Sequence, residues 1–200
     1  QAQDPEWNYA LDDQTYDSQL SSDGRYIVAG DDAGIVRLLD VQSQTALWHY
    51  DTGDAEIRNV DISSDGSYIV AGEWANSSAK IYLFDKAFTD NEPIWEYSSV
   101  ATNIIRLVIS EDGSTIFLHS TSMMYVFDVS SSTPLWSSSV DYRLNGFDVS
   151  ADGNYIYSLD RQGSGHWSLR VHIRDSGTPL WEVNLGSNNC CYSSWDMMSL

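Results

Sequence analysis

The sequence predicts an all-β fold made of four copies of one four-stranded antiparallel unit, and two recurring markers carry the prediction. The first marker is an Asp-Gly turn in a constant context: SSDG at 21–24, SSDG at 63–66, SEDG at 110–113 and SADG at 150–153. The second marker is a Trp that follows an apolar residue at Trp48, Trp95, Trp136 and Trp181, with a fifth Trp at the same phase, Trp7. Both markers recur about every 43 residues, and two independent markers in one period indicate a repeat architecture.

Each unit contains four short strands. The first ends before the Asp-Gly turn and the second follows it, as in IRNVDIS and YIVAG of the second unit. An Asp-Gly pair between apolar runs predicts a hairpin, because Gly adopts a positive φ without a Cβ clash and Asp caps its own turn. The fourth strand contains the marker Trp, and the third strand ends in Asp. The aspartates expected to end the third strands are Asp40, Asp85, Asp128 and Asp175.

The second and third strands of each unit read as nearly continuous apolar runs, which is typical of a sheet covered on both faces. A four-stranded antiparallel sheet that repeats every 40 to 45 residues and is covered by its own neighbours is a β-propeller blade. We therefore predict one β-propeller domain over residues 1–200, with the marker Trp packed between blades. The predicted elements are an orphan outer strand at 5–11, blades at 15–51, 56–98, 103–140 and 143–185, and an extra inner strand at 193–199.

Parts of the repeat resemble known propeller families. SSDGRYIVAG followed by IVRLLD resembles WD40-like repeats, whereas FDVSSSTPLW at 127–136 and IRDSGTPLWEV at 173–183 resemble the PQQ-like repeat of quinoproteins. The resemblance spans nearly the whole chain and implies an architecture rather than an activity. Quinoprotein enzymes with such repeats are larger propellers that hold their cofactor in a central funnel. Four small blades leave little room for one, so no cofactor is expected.

The orphan strand at 5–11 and the extra strand at 193–199 leave undecided how the ring of blades closes. Four blades close alone with both extra strands donated elsewhere, or the termini together form a reduced fifth blade, or the chain is a piece of a larger propeller. The length favours four blades. An unpaired strand at each terminus is an edge for another molecule, and identical subunits joined head to tail form a ring or a filament.

Charge and cysteine usage restrict the partners and the compartment. The 29 acidic and 10 basic residues give a formal net charge of −19, which makes nucleic acid an unfavourable partner. No apolar run is long enough for a membrane span, and the start at Gln1 together with the sequon at Asn76 favours a secreted protein. The only two cysteines, Cys190 and Cys191, are neighbours that form a strained vicinal ring, stay free or bond to another chain.

No catalytic or metal-binding constellation is recognisable. The four histidines, His49, His119, His166 and His172, show no metal-ligand spacing, and we expect them to be structural or surface residues. No nucleophile elbow, phosphate loop or Cys-x-x-Cys is present, and the acidic pairs lack the remaining ligands of a calcium loop. The sequence therefore predicts neither a catalytic nor a cofactor or metal site.

A binding face is the remaining candidate site. The longest loops between second and third strands, EWANSSA at 73–79 and DRQGSGHWS at 160–168, each carry a Trp outside the repeat framework. In a propeller such loops share one face with the loops that join blades. Trp in loops is enriched at interfaces and also stacks on sugar rings, although both residues could instead cap the core. The candidates for interface residues are Trp7, Tyr9, Trp74, His166, Trp167, Cys190, Cys191 and Trp195.

These observations predict an acidic, secreted, non-enzymatic propeller whose function is to bind other molecules. We expect an extracellular or cell-surface structural protein that associates with itself into a homo-oligomer, filament or surface array through its terminal strands and one loop face. The alternative is a lectin-like propeller that binds carbohydrate, or a fragment of a larger PQQ-like quinoprotein or scaffold propeller.

Overall fold

A computed structural model of the chain describes residues 8–11, 13–53, 55–75, 78–88, 92–98, 103–140, 144–161 and 166–186. These ranges contain sixteen β-strands and no α-helix, so within them there is no helix that could cross a membrane. The strands form four separate four-stranded sheets, each built from four consecutive antiparallel strands. The all-β prediction and the four-unit repeat are confirmed.

Each sheet is a simple meander in which the first strand lies at one edge and the strand with the marker Trp at the other. Blade 1 comprises β1 Thr15–Leu20, β2 Tyr26–Asp31, β3 Ile35–Asp40 and β4 Thr45–Asp51. Blade 2 comprises β5 Glu56–Ile62, β6 Tyr68–Trp74, β7 Lys80–Asp85 and β8 Trp95–Ser98. Blade 3 comprises β9 Ile104–Ile109, β10 Thr115–Ser120, β11 Met123–Asp128 and β12 Trp136–Ser139. Blade 4 comprises β13 Leu144–Val149, β14 Tyr155–Arg161, β15 Trp167–Ile173 and β16 Trp181–Gly186.

The Asp-Gly turn joins the first and second strands of every blade in the same way. In blade 1, Asp23 accepts hydrogen bonds from the Ser21 hydroxyl at 2.6 Å and from the Arg25 N–H at 2.9 Å, and Gly24 has φ +70°. Asp65, Asp112 and Asp152 accept the equivalent bonds in the other blades. The aspartates of the Asp-Gly turns therefore act as turn caps, which accounts for part of the acidic composition.

The ends of the third strands differ slightly from expectation. Asp40, Asp85 and Asp128 are the last residues of β3, β7 and β11. In blade 4, β15 ends at Ile173, which pairs with Tyr155 as Asp40 pairs with Tyr26. Asp175 lies two positions beyond the end of the paired register and belongs to the turn that follows.

The hydrophobic core lies between the blades rather than inside any one of them. One cluster joins blades 1 and 2, a second joins blades 2 and 3, and a third joins blades 3 and 4. The second and third strands are buried on both faces in blades 2 and 3, as their apolar runs predict. Among the described strands, blade 4 makes no extensive contact with blade 1, so the row of blades has two ends.

Candidate protein-binding surface

The three joints between neighbouring blades use the marker Trp in one way. Each Trp indole N–H donates a hydrogen bond to the first carbonyl after the third strand of the next blade, and each ring packs on that strand. Trp95, for example, donates to the Val129 carbonyl at 2.8 Å and stacks on Phe127 with ring centroids 5.8 Å apart. The other two donor and acceptor pairs are Trp48 with Lys86, and Trp136 with Arg174.

A second shared contact links the Asp-Gly turns of successive blades. Backbone hydrogen bonds run from Ser22 N to Ser64 O at 3.1 Å, from Ser64 N to Glu111 O at 2.9 Å and from Asp112 N to Ala151 O at 3.0 Å. The second residue after each turn glycine also packs against the turn glycine of the next blade. A Cβ added at Gly66 would lie 2.5 Å from Tyr26 Cδ2, and one added at Gly113 would lie 2.9 Å from Tyr68 Cδ2. The turn glycines are needed there because a side chain would not fit.

A third contact comes from aspartates on the innermost strands. Asp17 of blade 1 accepts a hydrogen bond from the Val60 N–H at 2.9 Å, and Asp61 of blade 2 accepts one from the Ile109 N–H at 2.8 Å. Burial raises the pKa of Asp61 from 3.8 to about 6, more than the two backbone donors lower it. These carboxylates connect the inner strands of neighbouring blades.

The third joint contains two of the histidines. His172 takes the place that Phe84 and Phe127 occupy in the other blades, and Trp136 stacks on it with ring centroids 5.1 Å apart. His119 is buried beside Phe147, and burial lowers its pKa to about 4. Both imidazoles are therefore packing elements of this joint.

Blade 4 presents the corresponding contact residues to solvent. Trp181 pairs with Val171 on β15 as Trp95 pairs with Leu83 on β7, so the two Trp side chains occupy equivalent positions. Trp181 is nevertheless 44% exposed, Val183 45% and Tyr155 50%. No described residue accepts a hydrogen bond from the Trp181 indole. We call the surface formed by Tyr155, Trp181, Val183 and Leu185 the open face of blade 4.

The polar groups of a joint are also in place on the open face. Asp148 accepts a hydrogen bond from its neighbour Val149 at 2.9 Å, as Asp61 does from Ile62, and its second carboxylate oxygen has no partner among the described residues. The N–H of Ala151 is equivalent to the Ser22 and Ser64 donors of the first two joints and donates to no described residue. The open face therefore carries the apolar and polar components of a blade joint, and no blade adjoins it among the described residues.

The opposite end of the row is the free face of blade 1. Leu20 is 57% exposed, whereas its equivalents Ile62 and Ile109 are 7% and 6% exposed beneath the preceding blade. A Cβ added at Gly24 would meet nothing within 4 Å, unlike one at each of the other three turn glycines. Ala29 and Leu39 on this face are buried. The free face is thus open at its turn end and covered farther along the strands.

The predicted loop-face residue Trp74 belongs to a strand and to a stacked cluster. Trp74 is the last residue of β6, and the Arg58 guanidinium lies 4.5 Å from its ring centroid and 4.6 Å from that of Tyr16. Arg58 also forms an ion pair with Glu56. Sequence reasoning missed Arg58 and Tyr16, because a cation between two rings from different blades leaves no local sequence signal.

The other predicted interface residues do not join that cluster within the described structure. Trp167 is the first residue of β15 rather than a loop residue, and His166 precedes it, so blade 3 separates both from Trp74. Tyr9 is exposed and lies outside any strand, as do residues 8–11 as a whole. Trp7, Asn76, Cys190, Cys191 and Trp195, and the predicted strand at 193–199, lie outside the described residues.

Metal-binding geometry is not found in the described part of the chain. No group of three or more His, Cys, Asp or Glu side chains there lies close enough together to hold an ion.

Comparison with known proteins identifies the fold. No family model matches the sequence, and no curated protein is similar to it. Among solved structures, the model is similar to a chain in the "Mitotic Checkpoint Complex" (TM-score 0.72, 16% identity, 89% of this chain and 53% of that one). It is also similar to the Swd1 (Cps50) β-propeller domain of Myceliophteria thermophila (TM-score 0.71, 11% identity, 90% and 58%).

A third similar structure is the hydrazine synthase of Kuenenia stuttgartiensis (TM-score 0.66, 16% identity, 92% of this chain and 53% of that one). The present chain thus spans between 53% and 58% of the length of these three relatives. Sequence identities this low establish the architecture alone. With four antiparallel blades and these structural relatives, the chain is a β-propeller repeat protein.

Proposed function

We propose that this protein works by contact with other proteins rather than by catalysis, and that the open face of blade 4 is its binding surface. The observation that carries the proposal is the exposure of Trp181 at a position where the three equivalent Trp residues pack against a following blade. Exposed contiguous apolar surface rimmed by polar groups is typical of protein interfaces, where Trp and Tyr supply much of the binding energy.

The proposal includes an extracellular or cell-surface location and association of the chain with copies of itself. The acidic surface and the sequon at Asn76 support the location. Association is supported by the two unmatched ends of the blade row, because a heterologous contact between such ends generates rings or filaments.

The test is the molar mass of the purified protein in solution, measured by light scattering over a range of concentrations. Trp181→Glu places a charge on the open face, and we expect it to abolish association. Leu180→Glu is the matched control, because Leu180 precedes Trp181 and belongs to a series of residues exposed in every blade. The other members of that series are Leu47, Ile94 and Leu135.

Three outcomes decide the proposal. Assembly that Trp181→Glu dissolves and Leu180→Glu leaves intact supports it. A wild-type protein that stays a monomer throughout contradicts self-association. Assembly that survives Trp181→Glu contradicts the open face as the binding surface.

A second candidate function is that of a segment of a longer propeller, with a ligand-binding or enzymatic role. The share of 53% to 58% of the relatives' lengths favours it, and one relative is named a hydrazine synthase. In this case a further blade of the same polypeptide would cover Trp181. A lectin-like role would instead use Trp74, and quenching of Trp fluorescence by added sugars that disappears in Trp74→Ala would support it. Unchanged fluorescence across a sugar panel would remove the lectin-like role.

A further inference from the structure

We propose that the joint between blades 3 and 4 is sensitive to acid, and that it opens when the buried imidazoles of His119 and His172 gain protons while the other two joints stay closed. The proposal adds a conformational property to the fold and does not depend on the binding surface of blade 4. It rests on how the third joint differs from the first two in its spacing, its unpaired polar atoms and its charges.

The inner half of the third joint is spaced by a side chain where the other two joints have none. By register, His119 occupies in blade 3 the position of Gly30 in blade 1 and Gly72 in blade 2. The backbone at these glycines lies so close to the next blade that an added Cβ would be 2.3 Å from Ile57 and 3.2 Å from Ile104. An imidazole fills this position in blade 3, and the close approach of inner strands seen in the first two joints is much reduced in the third.

The third joint also lacks the carboxylate contact that connects the inner strands of blades 2 and 3. Val108 occupies in β9 the position that Asp61 occupies in β5, because they pair with Phe117 and Val70 at equivalent places. No residue of β9 carries a carboxylate that could accept a hydrogen bond from blade 4. Among the described residues, the apolar cluster of this joint is also the smallest of the three. Fewer interactions therefore hold blade 4 to blade 3 than hold the other blades together.

The imidazole nitrogens in the third joint are poorly satisfied. His119 Nε2 has no hydrogen-bond partner among the described residues, and the side chain is 1% exposed. Neither ring nitrogen of His172 has a hydrogen bond of normal geometry with them, although the backbone of Ser176 and Gly177 lies nearby. A neutral imidazole tolerates such surroundings far better than a charged imidazolium does, because burial disfavours the charged form.

The charged groups around His119 add to this preference for the neutral form. Arg106 is its register partner in β9, and the Arg106 guanidinium lies 5.1 Å from the ring centroid of Phe147, against which His119 also packs. On β14 of blade 4, the Asp160 carboxylate accepts a hydrogen bond from Arg170 at 2.8 Å. A proton on His119 would therefore be added beside a cation, while the carboxylate of β14 already has an arginine partner.

The charged groups around His172 act in the same direction overall. Arg170 and Glu182 of blade 4 form an ion pair at 3.3 Å, and Asp128 of blade 3 forms one with Arg174. Burial and the Arg170 charge lower the pKa of His172, more than Glu182 and the nearby backbone raise it. Both imidazoles of the third joint are thus held in the neutral form while the joint is closed.

Mild acid therefore opposes closure of the third joint. Burial lowers the pKa of His119 from 6.5 to about 4. Between these values an opened joint binds a proton that the closed joint does not, so the stability of the closed joint is present above about pH 6.5 and is lost as the pH falls toward about 4. Between about pH 7 and about pH 5, His119 alone should favour opening by about 20-fold.

The first two joints respond to acid in the opposite direction. Burial raises the pKa of Asp61 at the second joint from 3.8 to about 6, and it also raises the pKa of Asp17 at the first. Protonation of these carboxylates favours the closed form as the pH falls. The other two histidines do not oppose this effect, because His49 is exposed and His166 precedes β15 of blade 4. Acid is thus expected to open the third joint selectively.

The experiment is hydroxyl-radical footprinting of the full chain at about pH 7 and about pH 5, in a series of urea concentrations below the global unfolding transition. Trp48, Trp95 and Trp136 report on the first, second and third joints. The test variant combines His119→Gln, which is neutral and polar, with His172→Phe, which restores the residue type of blades 2 and 3. His49→Gln is the matched control. Circular dichroism confirms that each variant is folded.

In the wild type, Trp136 should become oxidised at a lower urea concentration at about pH 5 than at about pH 7, whereas Trp48 and Trp95 should not. The double variant should lose this shift, and His49→Gln should keep it. The proposal would be overturned by a shift shared by all three Trp residues, by no shift at Trp136, or by a shift that persists in the double variant.

A second measurement decides the case if the double variant does not fold. Deuterium exchange at the imidazole C2 carbons of the wild type, followed by mass spectrometry, gives the pKa of each histidine separately. His119 should titrate well below the ordinary histidine value of about 6.5. Titration of His119 at its ordinary value would overturn the proposal, because the closed joint would then not exclude the proton.

Discussion

The second joint and the open face of blade 4 are built from the same positions in the repeat but differ in what covers them. At the joint, Trp95 stacks on Phe127 and its indole N–H is bonded to the Val129 carbonyl. On the open face, Trp181 occupies the same position in its sheet as Trp95 does, and it remains 44% exposed. The difference teaches that the marker Trp serves the neighbouring blade and not its own sheet.

This comparison also separates stability from binding. A blade face that is covered within the chain contributes to folding, whereas an identical face at the end of the row is available for a partner. The same side chain therefore has a structural role in three blades and, by our proposal, an interaction role in the fourth. Paired substitutions at equivalent positions can measure the two roles separately.

The largest effect is expected for the marker Trp. Trp95→Ala removes the stacked ring and leaves the Val129 carbonyl without its donor, so we expect it to lower the free energy of unfolding by about 3 to 5 kcal/mol. Trp181→Ala removes an exposed ring and should cost less than about 1 kcal/mol in the monomer. Urea denaturation of both variants at a concentration that favours monomers checks this. Equal losses would show that Trp181 is already covered.

An intermediate effect is expected for a close backbone approach between blades. A Cβ added at Gly30 would overlap the side chain of Ile57 in the next blade, so Gly30→Ala should destabilise the protein by about 1 to 3 kcal/mol. Gly146 is the control, since a Cβ there would meet only Leu159 Cβ at 4.0 Å. Gly146→Ala should change stability by less than about 1 kcal/mol. Thermal unfolding of the two variants measures the contrast, and similar melting temperatures would contradict the first joint as described.

The smallest effect is expected from the inner-strand carboxylates and depends on pH. Burial raises the pKa of Asp61 to about 6 from an unfolded value near 3.8. The stability that the protonated form contributes is fully present below the unfolded pKa and is lost as the pH rises through about 6. Relative to Asp61→Asn, the wild type should therefore lose up to about 2 kcal/mol between pH 4 and pH 7.

The control for that titration is Asp148→Asn, because Asp148 occupies the equivalent position with an exposed side chain. This substitution removes no buried carboxylate, so it reports the effect of an Asp-to-Asn change alone. Denaturation curves at several pH values give the difference directly. If the Asp61 variant followed the wild type at every pH, the buried carboxylate would not be linked to folding.

The sequence predicted the architecture well because the features that define the repeat depend on a few neighbouring residues. An Asp-Gly turn and a strand of alternating exposure around Trp are decided within a few residues, and all four turns are found. The end of β15 at Ile173 was missed because Asp175 imitates the strand ends of the other blades. Periodicity identifies equivalent positions, but small shifts at strand ends depend on pairing.

The candidate site was less predictable, because it depends on which blade face is left without a neighbouring blade. Trp181 is indistinguishable in sequence from Trp95, and only the arrangement of blades separates the exposed Trp181 from the partly buried Trp95. Tyr155 and Leu20 were likewise overlooked, because their equivalents in other blades are core residues. Trp74 was identified from its position outside the repeat framework, but its partners Tyr16 and Arg58 come from two different strands.

The most direct test of the account is hydroxyl-radical footprinting with mass spectrometry at low and high protein concentration. At low concentration, Trp181 should be oxidised much faster than Trp95 and Trp136, which lie in joints. At high concentration, Trp181 should become protected while the other two stay unchanged. Equal oxidation of all three residues, or a rate at Trp181 that does not change with concentration, would contradict the central claim that the open face of blade 4 is a blade surface that a partner covers.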